Sequence, residues 1–179
     1  MLILASNLII MKKLFVLLFF IPVFAYAQDT CQLQKTTDVF TKEARISTGF
    51  IPFLANGVQL HISIDATSSE IDFFLWIKND SRCFDSQSGL QVNYDGERLK
   101  ANFKNTGSMN CEGAFHFTFR NTPATPSNLK RFTDKRIASI KLTGTGNTIT
   151  EISFNEEQKQ LLQRMANCVV NESKTLMKK

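Results

Sequence analysis

The stretch from Cys83 to Cys111, CFDSQSGLQVNYDGERLKANFKNTGSMNC, constrains the fold more than any other part of this chain. Leu90, Val92 and Tyr94 alternate with Gln91 and Asn93, and Leu99, Ala101 and Phe103 alternate with Arg98, Lys100 and Asn102. A period of two puts one row on a core face and the other in water. Asp95-Gly96 lies between the runs. A two-residue type I′ turn needs φ > 0 at both central positions, which Asp tolerates and Gly prefers, so the spacing predicts a hairpin with Asp95-Gly96 at its tip. A hairpin brings its open ends together, which places Cys83 near Cys111.

The other two cysteines are Cys31 and Cys168. An even cysteine count in an exported chain reads as disulfides, and four cysteines allow three pairings. The pairing of Cys83 with Cys111 and Cys31 with Cys168 is favoured, because the second bond would tie the chain ends together. A zinc site is the rival reading. His116 follows Cys111 closely, but the chain has no CxxC or CxxH pair.

Export is read from the first 27 residues. Met11-Lys12-Lys13 is a basic n-region, Leu14 to Phe24 an apolar run of 11 residues, and Ala25-Tyr26-Ala27 a small-x-small cleavage site. This is the pattern of a secretory signal peptide cut after Ala27, with Met11 the better start. A transmembrane anchor is the competing reading, for which the run falls short of the ~20 residues a span needs unless Leu2 to Ile10 extend it. Cleavage removes 27 of 179 residues and leaves 152, Gln28 to Lys179, enough for a single β-rich domain. Lys12 and Lys13 leave with the signal, so the net charge falls from +5 to +3. Spread along the chain, that balance is not a nucleic-acid footprint.

Within 28–179 the pattern is strand after strand. Thr36 to Thr48 reads as one strand or two short ones. Gly49 to Asn56, broken by Pro52, fits an irregular buried connector better than a strand centre. Val58, Leu60, Ile62 and Ile64 alternate cleanly with polar residues. Ile71 to Ile77 (IDFFLWI) is apolar on both faces, which predicts a central strand whose second face is covered by the C-terminal helix or another sheet. Phe115, Phe117 and Phe119 alternate again. Ser127 is expected to cap one helical turn, Asn128 to Phe132. Ile137 to Thr143, a turn over Gly144 to Asn147, and Thr148 to Phe154 form a second hairpin. Asn155 and Gln158 then signal a capping box that opens a helix over 155–172, with Leu161, Leu162, Met165, Cys168 and Val169 at helical spacing. The expected fold is mainly β (α+β): an antiparallel β-sandwich or curved sheet of about seven to nine strands with one C-terminal helix.

A cysteine before an Asp-Gly hairpin, Asn110-Cys111-Glu112-Gly113, the alternating aromatic strand, Ile137 to Leu142 and a helix bearing Cys168-Val169 form a recognisable order. Over Val58 to Val170 the chain resembles small secreted proteins of uncharacterised function common in Bacteroidota. The resemblance implies a β-rich secreted or envelope domain and carries over no catalytic residues.

No motif names a reaction. His61 and His116 are the only histidines, and each should point away from the core. Ser63 shares the face of His61, and Asp65 and Asp72 lie on neighbouring strands, but neither a G-x-S-x-G elbow nor HExxH is present. Gly144-Thr145-Gly146 reads as a hairpin turn rather than a phosphate loop, and Asp80, Asp85 and Asp95 as turn carboxylates rather than a calcium loop. Lys130, Arg131, Lys135 and Arg136 form the densest basic cluster, a contact for an anionic surface or a solvated edge. No catalytic, cofactor or metal residue is expected. The first functional expectation is a secreted or periplasmic, non-catalytic module binding an unknown protein or envelope component, with no nucleic acid and no membrane anchor after cleavage. The alternatives are a small-molecule or lipid carrier with an apolar cavity, and a hydrolase using His61 or His116.

Overall fold

In a computed structural model of the chain, the described residues are 31–78, 81–98 and 100–177. The signal-peptide reading, Asp80 and Leu99 lie outside them.

Among the described residues, alternation becomes ten strands in two antiparallel sheets. The larger sheet holds β1 (Gln34–Thr37), β2 (Ala44–Ser47), β3 (Ile51–Ala55), β4 (Val58–Ala66), β5 (Glu70–Ile77) and β8 (Ala114–Arg120). Its order is β1-β2-β4-β5-β8, with β3 also on β4. The smaller sheet runs β10-β9-β6-β7, from β6 (Gly89–Tyr94), β7 (Lys100–Lys104), β9 (Ile137–Thr143) and β10 (Ile149–Ser153). The inner rows meet in one core. Leu60, Ile62, Ile64, Phe73, Leu75, Phe115 and Phe117 come from the larger sheet, and Leu90, Val92, Ile140, Leu142 and Ile152 from the smaller.

Two helices complete the core. In α1 (Ser127–Asp134), Phe132 packs against rings from both sheets: Phe73 (4.8 Å) and Phe117 (6.0 Å) of the larger, Phe103 (5.6 Å) of the smaller. This helix has two turns rather than the single turn expected. Ser127 does not cap it; Pro126 holds that position, with no side-chain bond. In α2 (Glu156–Ser173) the predicted capping box is present: Gln158 N–H donates to Asn155 Oδ1 (2.9 Å), and Asn155 N–H to Gln158 Oε1 (3.0 Å). Its buried side chains are Leu162, Met165, Ala166, Val169, Val170 and Ser173. Ser173 is tied to the body of the fold: Asn121 Nδ2 donates to its carbonyl (2.9 Å) and to that of Thr67 (2.9 Å).

Both disulfides form in the favoured pairing, Cys31–Cys168 and Cys83–Cys111, with Cα atoms 5.6 and 3.8 Å apart. No thiol is left to ligate a metal.

The hairpin turns differ from expectation. β6 pairs with β7 so that Val92 faces Ala101 and Asn93 faces Lys100, which leaves more than two residues in the loop. Gly96 has φ +71, but Asp95 is not in the left-handed region, so the turn is not type I′. That turn forms at Asn56-Gly57, with φ +51 and +75 and Ala55 facing Val58. The segment expected to be an irregular connector is therefore strand β3. Pro52 is tolerated because β3 pairs only with β4 and so lies at an edge. β2 and β3 follow each other along the same side of β4. They are separated at Thr48-Gly49, where Gly49 takes φ +64.

The second face of β5 is also a correction. α2 and the smaller sheet both lie on its Phe73 side, where Leu162, Ile140 and Phe73 line one small void. The Asp72, Phe74 and Trp76 row faces outward, half-buried.

Candidate functional site

The register of β3, β4, β5 and β8 assembles that outer face row by row. Pro52 faces His61, which faces Trp76; Ser63 faces Phe74, which faces His116; Asp65 faces Asp72, which faces Thr118. Cross-strand neighbours of this kind stand about 4.5–5.5 Å apart at Cβ, so the rows are side-chain contacts. Both histidines leave the core, as their alternation requires.

Aromatic rings dominate the face. The His116 ring stacks on Phe74 with centroids 4.1 Å apart and planes 11° from parallel. His61 lies 5.3 Å from Trp76, and Phe50 meets Trp76 edge-on at 6.4 Å. The Trp76 indole N–H donates to the carbonyl of Glu112 (3.0 Å), next to Cys111. The Cys83–Cys111 bond thus fixes the segment that orients the tryptophan. Along the β3 edge Phe50 and Leu54 stand 55% and 71% exposed, with Pro52 exposed between them. Rings that shield one another sideways let a sheet carry apolar residues on both faces without a covering layer.

The polar groups here are structural in their bonding. Ser63 Oγ donates to Asp65 Oδ1 (2.9 Å), and Arg45 pairs with Asp65 from β2. Ser63 is therefore committed to a carboxylate and is not offered to His61. His116 Nε2 lies 3.4 Å from Asp72 Oδ1, yet among the described residues neither atom has a hydrogen-bond partner, nor has His61 Nε2. His116 Nδ1 is 3.3 Å from Thr106 Oγ1, and that hydroxyl also donates to the His116 carbonyl (3.2 Å). Asn105 holds this segment: its Oδ1 accepts from His116 N–H (2.9 Å), and its own N–H donates to the Ser88 carbonyl (3.0 Å), beside β6.

The basic cluster is divided by the fold. Arg136 is drawn into a network with Asp95 and Glu156 (2.9 Å each), joined by Lys159. Lys130 pairs with Asp134, and Lys135 with Glu97 (3.0 Å). Lys130, Arg131 and Lys135 share an open cleft of about 350 Å³ with Glu97, Arg98, Ser127 and Asp134. Arg98 was not in the predicted cluster. Only the β6–β7 turn brings it opposite α1, and a linear scan for charge density passes over it.

Gly144 to Asn147 is a hairpin turn, as expected. A Cβ on Gly144 would stand 2.8 Å from the Cys83 carbonyl, which is why a side chain is excluded there. Asp85 binds its own turn, accepting from Ser88 Oγ and from the N–H groups of Gln87 and Ser88 at 2.9 Å each. Asp95 is engaged with Arg136. Among the described residues no three His, Cys, Asp or Glu side chains converge as a metal site, and no helix is long and apolar enough to cross a membrane.

Compared with family models, curated proteins and solved structures, the chain finds no match.

Proposed function

We propose that this chain is an exported, non-catalytic interaction module that docks a protein component of the cell envelope through the outer face of the larger sheet. The observation that carries this reading is the edge row Phe50, Pro52 and Leu54, presented beside Trp76 and His61. Contiguous exposed apolar residues around an anchored aromatic are the composition of a binding surface, since they lose little on leaving water and gain much from a matching partner. Two disulfides and the Met11 to Ala27 signal pattern support an oxidising, extracytoplasmic address. The likeness to small secreted proteins of Bacteroidota supports the same address.

Two other readings draw less support. A carrier would call for a cavity of roughly 300 Å³ or more, whereas the core void is about 30 Å³, with the phenylalanines packed against one another. A hydrolase using His61 or His116 would need a nucleophile held by its base, and the Ser63 hydroxyl is bonded to Asp65 instead.

The test is native mass spectrometry of the protein purified without reductant from its host's envelope. The expected species is Gln28–Lys179 less four hydrogens, carrying a partner that Phe50→Ser with Leu54→Ser removes. An uncleaved, reduced mass, or a partner retained by that variant, would refute the reading.

A further inference from the structure

We propose that the cleft between the β6–β7 turn and α1 is an anion-binding site that takes a phosphate ester between Arg98 and Arg131. It is independent of the outer-face reading, since it uses different elements and a different chemistry.

Four cations line the cleft, Arg98, Lys130, Arg131 and Lys135, against two carboxylates, Glu97 and Asp134. The carboxylates are already matched, Asp134 by Lys130 and Glu97 by Lys135. Among the described residues Arg98 and Arg131 have no ion pair, so the surplus positive charge falls on the two guanidinium groups. They come from different elements, one from the β6–β7 turn and one from α1, and both line the cleft. A guanidinium offers a planar fork of donors that fits two oxygens of one phosphate, which a lysine ammonium does not.

Two hydroxyls lie at or beside the cleft. Ser127, exposed at the first position of α1, lines the cleft. Among the described residues the Tyr94 hydroxyl is buried without a partner, close enough to Arg131 and Glu97 for both charges to act on it. Burial holds that phenol well above its ordinary pKa, so it stays a neutral donor. At about 350 Å³ the cleft has room for a phosphate and the small polar group that carries it. Arg136, the residue of the basic cluster most fully paired, lines no part of it.

The chemistry could be supplied by a soluble phosphate ester or by a phospholipid headgroup, and the experiment separates them. The isotopically labelled, oxidised protein is titrated with glycerol 3-phosphate while arginine Nε–H and backbone amide signals are followed. In a second arm it is sedimented with phosphatidylglycerol or phosphatidylcholine vesicles. Saturable shifts at Arg98, Ser127 and Arg131 assign a soluble ester. Sedimentation with phosphatidylglycerol alone, lost on arginine substitution, assigns a headgroup. In either arm Arg98→Gln with Arg131→Gln should weaken binding about tenfold or more, and Lys141→Gln, on the smaller sheet, should leave it unchanged. Arg98→Lys with Arg131→Lys keeps the charge and should bind between the two, which guards against a folding defect in the glutamine pair. No saturable shift and no arginine-dependent sedimentation would overturn the proposal. So would shifts spread over all surface cations and unaltered by the double substitution.

Discussion

The two sheets obey the same rule on their inner faces and opposite rules on their outer ones. Outside the smaller sheet, Gln91 Nε2 donates to Asn102 Oδ1 (3.2 Å), Lys100 donates to Gln91 Oε1 (3.2 Å), and Asn93 Nδ2 to Ser139 Oγ (2.8 Å). This is a solvated ladder of amides and lysines, the usual outer face of an antiparallel sheet. Outside the larger sheet, His116 stacks on Phe74, and Trp76 meets both His61 and Phe50, two clusters of rings on one face. Stability asks only that the inner rows be apolar, and the smaller sheet meets that demand with a polar exterior. The aromatic exterior of the larger sheet goes beyond it, and for that reason we propose binding at that face.

The comparison can be broken at its shared support. Phe132 touches both sheets, and Phe132→Ala should cost about 3–5 kcal/mol, the loss typical of a buried Phe. Denaturant unfolding should still show one transition, with both faces lost together. A cost below about 1 kcal/mol would mean that the sheets do not depend on this ring.

It can be sharpened by truncating one outer face at a time. Arg45→Ala leaves the buried Asp65 carboxylate without its cation and should cost about 1–3 kcal/mol, much of it recovered in an Asp65→Asn background. Phe74→Ala removes the stack under His116 and should cost about 1–2 kcal/mol, whereas Lys100→Ala on the amide ladder should stay within about 0.5 kcal/mol. Equal costs from the two faces would remove the distinction.

The smallest effect is common to both sheets. Asp38, in the β1–β2 turn, is held below its ordinary 3.8 by the N–H groups of Thr41 and Phe40. Asp85, before β6, is held below 3.8 mainly by the Ser88 hydroxyl. A depressed carboxylate stabilises the fold at pH above its unfolded value, and that contribution disappears as pH falls through the folded one. Thermal midpoints should therefore decline slightly below pH 3.8, and Asp38→Asn or Asp85→Asn should flatten the decline.

Much of this architecture was legible in the sequence, and the failures have physical causes. Alternation located the core rows of β4, β5, β6, β8 and β9, and Asn155 with Gln158 located the start of α2, because both signals are local. The disulfide pairing followed from a hairpin and from the chain ends. Pro52 misled, since a proline argues against a strand only where both edges are paired, and pairing is a tertiary fact. Asn56-Gly57 was the better I′ signal, but it ended a stretch already read as irregular. The aromatic outer row of β5 suggests a cover, because periodicity cannot show that Phe50 and the rings of β4 and β8 will lie against it. The cleft was half legible: Lys130, Arg131 and Lys135 are close in sequence, whereas Arg98 reaches them only through the fold, and Arg136 leaves them for Asp95 and Glu156.

The most direct test of the binding face is a pair of photo-crosslinking residues placed at Leu54 and at Asn102, exposed positions on the two outer faces, in the host's own envelope. We predict a discrete protein adduct from Leu54 that Trp76→Ala diminishes, and none from Asn102. Adducts of equal yield from both positions, or from Asn102 alone, would contradict the assignment of function to the aromatic face.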